Sequence, residues 1–247
     1  MSVMPRLRAL LATVALVCAG LVAFDVAAPP AAHADECYTW SGNLAEGSSG
    51  PEVAELQIRV AGWIGDGTNI AIDGEFGPQT ARAVRGFQEA FGLGADGVAG
   101  PETYNKIYEL QDADCSPAHF DFAEVSQNCG TGGYSGGAVS AAEVQENLKR
   151  VMWRAEALRQ RIGNHPLTVT DGFRDYSCND SVGGAGDSRH LYGDALDLVG
   201  YDFCSLVSGA TTTGFGGILG PGFPGHDDHV HIDLRGSQYW SAPDCGL

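Results

Sequence analysis

The chain has 247 residues, of which 31 are acidic and 14 are basic, so its formal net charge at pH 7 is −17. Such an excess of negative charge disfavours binding to nucleic acid or to an anionic membrane, and we expect neither as a partner. The length and the 44% hydrophobic content are sufficient for two small domains, each with its own core.

Residues 1–34 have the pattern of a secretory signal peptide. Arg6 and Arg8 give a basic start, residues 10–24 are mostly apolar, and Ala32-His33-Ala34 offers a cleavage site. The apolar run is too short to predict a membrane span. We therefore predict a secreted protein that is soluble and has no membrane anchor after cleavage.

The cysteine content agrees with export. Six cysteines follow the predicted leader, and none of them belongs to a C-x-x-C pair that would suggest a cysteine zinc site. An even number of cysteines outside the cytosol predicts three disulfides, although the sequence alone does not choose among the possible pairings. We predict sequential pairing: Cys37–Cys115, Cys129–Cys178 and Cys204–Cys245.

A repeated turn divides the N-terminal part of the chain. Asp73-Gly74-Glu75-Phe76-Gly77-Pro78-Gln79-Thr80 recurs as Asp96-Gly97-Val98-Ala99-Gly100-Pro101-Glu102-Thr103. Each copy has the Asp, Gly and Pro content of a turn that leads into a helix. Apolar residues at helical spacing precede the first copy and follow both copies. The pattern predicts three short helices that pack on one small core.

This segment resembles the peptidoglycan-binding domain of secreted wall hydrolases. The resemblance rests on Leu44-x-x-Gly47-x-Ser49-Gly50, Val53-x-x-Leu56-Gln57, Asp73-Gly74-x-Phe76-Gly77-Pro78-x-Thr80, Ala83-Val84-x-x-Phe87-Gln88 and Asp96-Gly97-x-x-Gly100-Pro101-x-Thr103. It implies that residues 35–115 form a wall-binding domain without chemistry of its own. The alternative is a helical bundle whose turns serve folding only. We nominate no ligand contacts, because most of these residues would be structural in either case.

A second domain is predicted over residues 116–247, after an irregular boundary at residues 111–122. Its clearest element is a helix with a continuous apolar face, which begins at a capping box of Ser140 and Glu143 and ends at Gly163. Residues 167–170, 195–199 and 229–234 have the pattern of strands. The fold class we predict is α+β: a three-helix N-terminal domain followed by an α+β domain built on an antiparallel sheet.

The candidate chemistry lies in two motifs of this second domain. Ser188-x-His190-x-x-Gly193-x-Ala195-x-Asp197 is followed by Asp228-His229-x-His231. Two histidines and one aspartate suit a zinc ion that keeps one coordination position open, which is the catalytic pattern. Such a site activates water near neutral pH and polarises a carbonyl. The alternative is that His190 is a loop histidine and Asp197 a carboxylate at the end of a strand. The charge of Asp197 would then be unpaired among apolar neighbours, which costs considerable free energy.

The two motifs together resemble the D-alanyl-D-alanine metallopeptidase family, and the resemblance extends over residues 116–247. That family includes secreted D-Ala-D-Ala carboxypeptidases and some phage endolysins. The resemblance implies that His190, Asp197 and His231 bind one zinc ion. It also implies that Asp228 is the general base, the alternative being a solvated acid beside Asp227.

The resemblance further implies that Arg174 lies near the scissile carbonyl, where it would bind substrate and stabilise the oxyanion. Its alternative is a surface ion pair with Asp171 or Asp175. We expect His229 to support the tetrahedral intermediate or to orient a ligand, the alternative being a histidine at the rim of the site. Ser188 either contacts substrate or caps its loop. Of the other histidines, His226 is expected to be a loop residue, whereas His119 and His165 lie outside the motifs and are expected on the surface.

We therefore predict a secreted, wall-associated, monomeric zinc carboxypeptidase that hydrolyses the terminal D-alanyl-D-alanine bond of peptidoglycan peptides. The closest rival is a zinc endopeptidase that cuts peptidoglycan cross-links. A rival from another class is a wall-binding protein whose second domain is inert.

Overall fold

The computed structural model describes residues 37–247, all of which lie within one compact unit. The predicted signal peptide lies outside the described residues. Within the described part, none of the helices combines the length and the apolar character that crossing a membrane requires.

Three helices form the helical module, residues 44–110, as the repeat predicts. They are α1 (Pro51–Val60), α2 (Pro78–Ala90) and α3 (Pro101–Glu109), and each begins with a proline that follows a glycine. Proline suits a first helical position because its missing N–H would have no partner there. A short 3-10 helix, Ala61–Trp63, extends α1. The core of the module contains fully buried side chains from all three helices, among them Leu56, Phe87 and Ile107.

The first copy of the repeat folds around the buried side chain of Gln57. Gln57 Nε2 donates to Asp73 Oδ1 at 2.9 Å, to the Glu75 carbonyl at 3.0 Å and to Thr80 Oγ1 at 3.1 Å. Its Oε1 accepts from the backbone N–H of Gly74 at 2.9 Å. Gly74 has a φ of 74°, a left-handed conformation that residues with a side chain rarely adopt. The Asp-Gly turn is thus specified by a glutamine from the preceding helix.

The second copy repeats this arrangement around Gln88, which is also buried. Gln88 Nε2 donates to Asp96 Oδ1 at 3.0 Å, to the Val98 carbonyl at 3.0 Å and to Thr103 Oγ1 at 3.1 Å. Gly97 N–H donates to Gln88 Oε1 at 2.9 Å. Because both copies have the same hydrogen bonds, folding alone explains why Asp, Gly and Thr are repeated. The repeat itself therefore identifies no ligand contact.

Helix α5 (Ala141–Arg161) is the long helix that the apolar pattern predicts, and the Ser140 hydroxyl accepts from the Glu143 N–H at its start. One face contributes to the core of the second domain. Another face contributes Trp153 and Ala157 to the core of the helical module. The Trp153 indole donates to the Cys115 carbonyl at 2.9 Å. A domain boundary at residues 115 and 116 stays a prediction, since α5 packs on both sides of it.

Five strands form one sheet in the order β1-β2-β4-β3-β5. They are β1 (Thr168–Asp171), β2 (Ala195–Val199), β3 (Gly217–Leu219), β4 (Val230–Asp233) and β5 (Tyr239–Ser241). All neighbouring pairs are antiparallel except β3 and β5, which are parallel. The predicted α+β class with a mainly antiparallel sheet is confirmed.

Shorter elements complete the second domain around this sheet. The helices are α4 (Phe122–Val125), α6 (Tyr176–Ser181) and α7 (Phe203–Ala210), and the 3-10 helices are Asn128–Gly130, Arg189–Tyr192 and Pro243–Cys245. Leu196, Leu198, Val230 and Ile232 are fully buried on the sheet face that belongs to the core with α5. Because side chains alternate along a strand, the residues between them point to the opposite face. That face carries the candidate site.

The three disulfides have the predicted sequential pairing. Cys37–Cys115 spans 78 residues and closes the helical module, while Cys129–Cys178 and Cys204–Cys245 lie in the second domain. By chain entropy, a crosslink that closes so long a loop as the first one stabilises the fold by about 4 kcal/mol.

Candidate metal centre and active site

Three side chains of the second domain converge from separate elements. His190 comes from the 3-10 helix Arg189–Tyr192, while Asp197 and His231 lie directly opposite each other on β2 and β4. His190 Nε2 is 3.2 Å from Asp197 Oδ1 and 3.1 Å from His231 Nδ1, and the latter two atoms are 2.8 Å apart. Ligands of a tetrahedral zinc ion with bonds of about 2.0–2.1 Å are separated by about 3.3 Å. The donor triangle is therefore of the right size for such an ion.

The other nitrogen of each imidazole has a hydrogen-bond acceptor. His190 Nδ1 lies 2.5 Å from the Gly172 carbonyl, and His231 Nε2 lies 3.1 Å from Asp233 Oδ2. An acceptor at that position holds the ring proton there and leaves the lone pair of the facing nitrogen toward the triangle. Two imidazoles oriented in this way and a carboxylate form one of the donor sets that catalytic zinc sites use.

The electrostatics of the triangle also favour a cation. Burial alone would raise the pKa of Asp197, but the charges and hydrogen bonds of His190 and His231 outweigh it and hold that pKa well below its usual value. Burial would lower the pKa of His231, but the carboxylates of Asp197 and Asp233 outweigh it and raise that pKa to about 9. Two buried carboxylates around one imidazole thus stabilise positive charge at this point, which a divalent ion can supply in place of a proton.

Arg174 lies beside the triangle, just after β1. Its Nη2 donates to Asp197 Oδ2 at 3.1 Å, and its Nε donates to Asp171 Oδ2 at 2.7 Å. The guanidinium therefore makes the ion pair with Asp171 and also reaches the site. The contact with Oδ2 leaves Oδ1 of Asp197 as the oxygen that faces both histidines.

His229 and Asp228 form a hydrogen-bonded pair at the mouth of the site. His229 Nδ1 lies 2.8 Å from Asp228 Oδ1, and His229 Nε2 lies 3.7 Å from Asp197 Oδ1. The Asp228 side chain is 91% exposed, and the hydrogen bond with His229 holds its pKa below the usual value. The structure thus places His229 on the cleft side and Asp228 behind it, toward solvent.

The site opens into a cleft of about 780 Å³. Its lining includes the three triangle residues and Arg174, and a glycine-rich wall that runs from Val182 to Ala185. Ser188 also lines the cleft and makes no side-chain capping hydrogen bond to the 3-10 helix that it precedes. Its hydroxyl is therefore available for a substrate contact.

One histidine that the sequence did not nominate for the site lines the cleft. His226 lies in a loop, as expected, but it lines the cleft, and its ring centroid is 4.8 Å from that of His229. The other two lie elsewhere: His119 bonds to Glu156, and His165 stacks on Tyr201.

The comparisons with known proteins agree with this geometry. Residues 118–233 match the family described as Peptidase M15, and residues 49–107 match the family described as Putative peptidoglycan binding domain. The chain is 51% identical over 256 aligned residues to the zinc D-Ala-D-Ala carboxypeptidase of Streptomyces albus G, with 98% of this chain and 99% of that protein covered. The chain belongs to the peptidase M15 family.

Two further likenesses cover part of this M15 peptidase. It is 44% identical over 61 residues to the N-acetylmuramoyl-L-alanine amidase CwlM of Mycobacterium tuberculosis, which is 25% of this chain and 14% of that protein. The crystal structure of the SleB N-terminal domain is 40% identical, with 29% of this chain and 96% of that chain covered and a TM-score of 0.26.

Sequence reasoning missed the groups of the M15 domain that orient the two histidines. Asp233 is fully buried, and the alternation along β4 already places it on the same face as His231. His229, which directly precedes β4, continues the same alternation. That signal was sufficient to nominate Asp233 as the partner of His231. The Gly172 carbonyl gave no signal, because a backbone acceptor depends on the path of the turn after β1.

Proposed function

We propose that the chain is a secreted zinc D-Ala-D-Ala carboxypeptidase that removes the terminal D-alanine of peptidoglycan peptides. His190, Asp197 and His231 would hold one zinc ion. The observation that carries the proposal is the donor triangle, whose three atoms lie within 2.8–3.2 Å of one another and whose two imidazoles are oriented from behind. The similarity to the Streptomyces albus G carboxypeptidase over nearly the full chain supports the same activity.

The donor set gives the bound ion a net positive charge, since two neutral imidazoles and one carboxylate leave one charge of zinc uncompensated. When bound, zinc supplies a Lewis acid that polarises the peptide carbonyl and activates water near neutral pH. The buried position of the triangle strengthens this effect, because electrostatic interactions are less screened away from solvent.

Arg174 binds the substrate carbonyl and stabilises the negative charge that develops on its oxygen. A guanidinium has more N–H donors than its contacts with Asp171 and Asp197 use, so some are left for substrate. Those two carboxylates also hold the group in place before substrate arrives. A fixed donor aimed at developing charge is the usual means of oxyanion stabilisation.

Asp228 is the general base, and His229 supports it. The base must accept a proton from the attacking water and return it to the departing D-alanine nitrogen. Because Asp228 lies behind His229, the proton would reach it through this imidazole: His229 Nε2 would accept the proton of the water while Nδ1 passes its own proton to Asp228 Oδ1, 2.8 Å away. The reverse transfer would supply the proton of the departing nitrogen. Ser188, on the cleft wall, contacts the substrate.

The helical module holds the enzyme at its substrate. Binding of this module to peptidoglycan would raise the local concentration of stem peptides around the active site. The protein would then act outside the cell, as the predicted leader and the disulfides suggest. We propose that it does so as a wall-associated monomer.

The proposal is tested by zinc analysis together with assays of D-alanine release from a pentapeptide. The wild type should hold one zinc ion and release free D-alanine without solubilising wall fragments. His190→Ala should lose zinc and activity, whereas Asp228→Ala should keep zinc and lose activity. Solubilised fragments from cross-linked wall would indicate the endopeptidase instead. Purified protein without zinc, or a His190→Ala variant with full activity, would contradict the proposal.

A further inference from the structure

A loop of the helical module touches the second domain next to the end of β4. Asn69 lies in this loop, between α1 and α2. Its Nδ2 donates to the Arg235 carbonyl at 3.1 Å, and its Oδ1 accepts from Arg154 Nη1 at 2.7 Å. A single side chain of the helical module therefore bonds both to α5 and to the segment that leaves β4.

Arg235, whose carbonyl accepts from Asn69, is linked to the donor triangle by hydrogen bonds. Arg235 Nε donates to both oxygens of Asp233, at 2.9 Å and 2.8 Å, and the Arg235 N–H donates to Asp233 Oδ1 at 2.9 Å. Asp233 Oδ2 in turn accepts from His231 Nε2 at 3.1 Å. Three successive contacts thus lead from Asn69 to an imidazole of the donor triangle, and each of them fixes the position of the next group.

The second partner of Asn69 makes its position specific. Arg154 is almost completely buried and has no carboxylate partner among residues 37–247. Its Nη1 donates to Asn69 Oδ1 and to the Gly214 carbonyl. A buried guanidinium that lost one acceptor would leave a donor unsatisfied, which is costly. Arg154 therefore holds the Asn69 amide in the orientation that directs Nδ2 toward Arg235.

We propose that Asn69 is a positioning residue for the metal centre and acts on His231 through Arg235 and Asp233. The inference rests on the proposed function, because it assigns a part of the helical module to the zinc site. In this arrangement the module does more than hold the enzyme at the wall: one of its side chains supports the donor triangle. The effect must then be visible with a soluble substrate that needs no wall binding.

Two substitutions of the full chain separate positioning from simple docking. Asn69→Ala removes both hydrogen bonds. Asn69→Asp keeps an acceptor for Arg154, as an ion pair, but has no N–H to donate to the Arg235 carbonyl. The same two changes at Asn105, an exposed residue of α3, are the matched controls. The measurements are zinc affinity by chelator competition, kcat and KM on a soluble D-Ala-D-Ala peptide, and the melting temperature of the metal-free protein.

Both Asn69 variants should bind zinc about three- to tenfold more weakly, less than the loss typical of a direct partner of a ligating histidine. At saturating zinc, kcat should fall while KM stays near the wild-type value, because Asn69 lines no part of the cleft. The Asn105 variants should match the wild type. If the Asn69 variants keep wild-type zinc affinity and kcat, the inference is wrong, however far their melting temperature falls. A wild type without zinc would overturn the proposed function as well.

Discussion

Asp197 and His231 face each other across the β2–β4 pair, with Asp197 Oδ1 and His231 Nδ1 2.8 Å apart. The side chains of directly opposite residues on antiparallel strands lie close together as a result of the strand pairing alone. His190 enters from a separate 3-10 helix and completes the triangle. Because the three donors come from distant parts of the chain, the site exists only when the second domain is folded.

Metal binding should therefore stabilise the fold, and His231→Ala should abolish this effect. An ion that binds only the native state raises its stability in proportion to the logarithm of free ion over Kd. Zinc should raise the melting temperature of the wild type, and a chelator should lower it again. In His231→Ala neither addition should matter, and D-alanine release should be lost. His165→Ala, which alters an imidazole stacked on Tyr201, is the control. A zinc-dependent shift in the His231 variant would exclude this residue as a ligand.

Asp233→Asn tests the group behind His231. The change keeps the shape of the side chain but removes its negative charge. In the wild type the charged carboxylate accepts a hydrogen bond from His231 Nε2 and forms an ion pair with Arg235. We expect zinc affinity to fall about 10- to 100-fold, as is typical when such a partner of a ligating histidine is altered. Chelator competition measures the change, and Asp180→Asn, at an exposed position of α6, controls for loss of a negative charge. Equal zinc affinity in both variants would show that Asp233 does not tune the site.

The two turns of the repeat should contribute to acid sensitivity. Hydrogen bonds from Gln57 and from the Glu75 N–H hold the pKa of Asp73 below its usual value, and those from the Val98 N–H and Gln88 do the same for Asp96. A carboxyl group whose pKa is lower in the folded state than in the unfolded state stabilises the fold above its unfolded pKa. This stabilisation is lost as the pH falls through the folded pKa.

The double variant Asp73→Asn/Asp96→Asn should accordingly lose less stability than the wild type when the pH falls from 5 through the region below the ordinary aspartate pKa of about 3.9. Melting temperature as a function of pH measures the difference, and Asp180→Asn serves again as the control. Parallel curves for the double variant and the wild type would contradict the proposed role of the two turns.

The sequence predicts well those features that depend on a short local pattern. The repeated Asp-Gly turns, the apolar face of α5 and the strand that contains His231 are all periodic or bounded by specific turn residues. The donor triangle is also accessible to sequence reasoning, because only a few residue types suit a zinc ion.

Features that depend on tertiary contacts are harder to predict. Strands β3 and β5 have three residues each, which is too short for an alternation to be recognised. The Gly172 carbonyl meets His190 because of the path of the backbone. Trp153 reads as one more apolar residue of α5, yet it packs into the core of the helical module. No local pattern indicates which of two cores a helix face will enter.

Arg174 has the most demanding role to test, because it contacts the proposed ligand Asp197 and is also proposed to bind the substrate carbonyl. Removal of one donor to an oxyanion typically lowers kcat by about 10²- to 10³-fold, so Arg174→Ala should show a loss of that size at saturating zinc. Arg174→Lys keeps the charge but not the forked geometry, and should recover only part of it. Arg150→Ala, which breaks an ion pair with Glu146 on α5, should leave kcat unchanged. If Arg174→Ala raises KM and leaves kcat intact, the guanidinium binds substrate and transition state equally, and the oxyanion role is wrong.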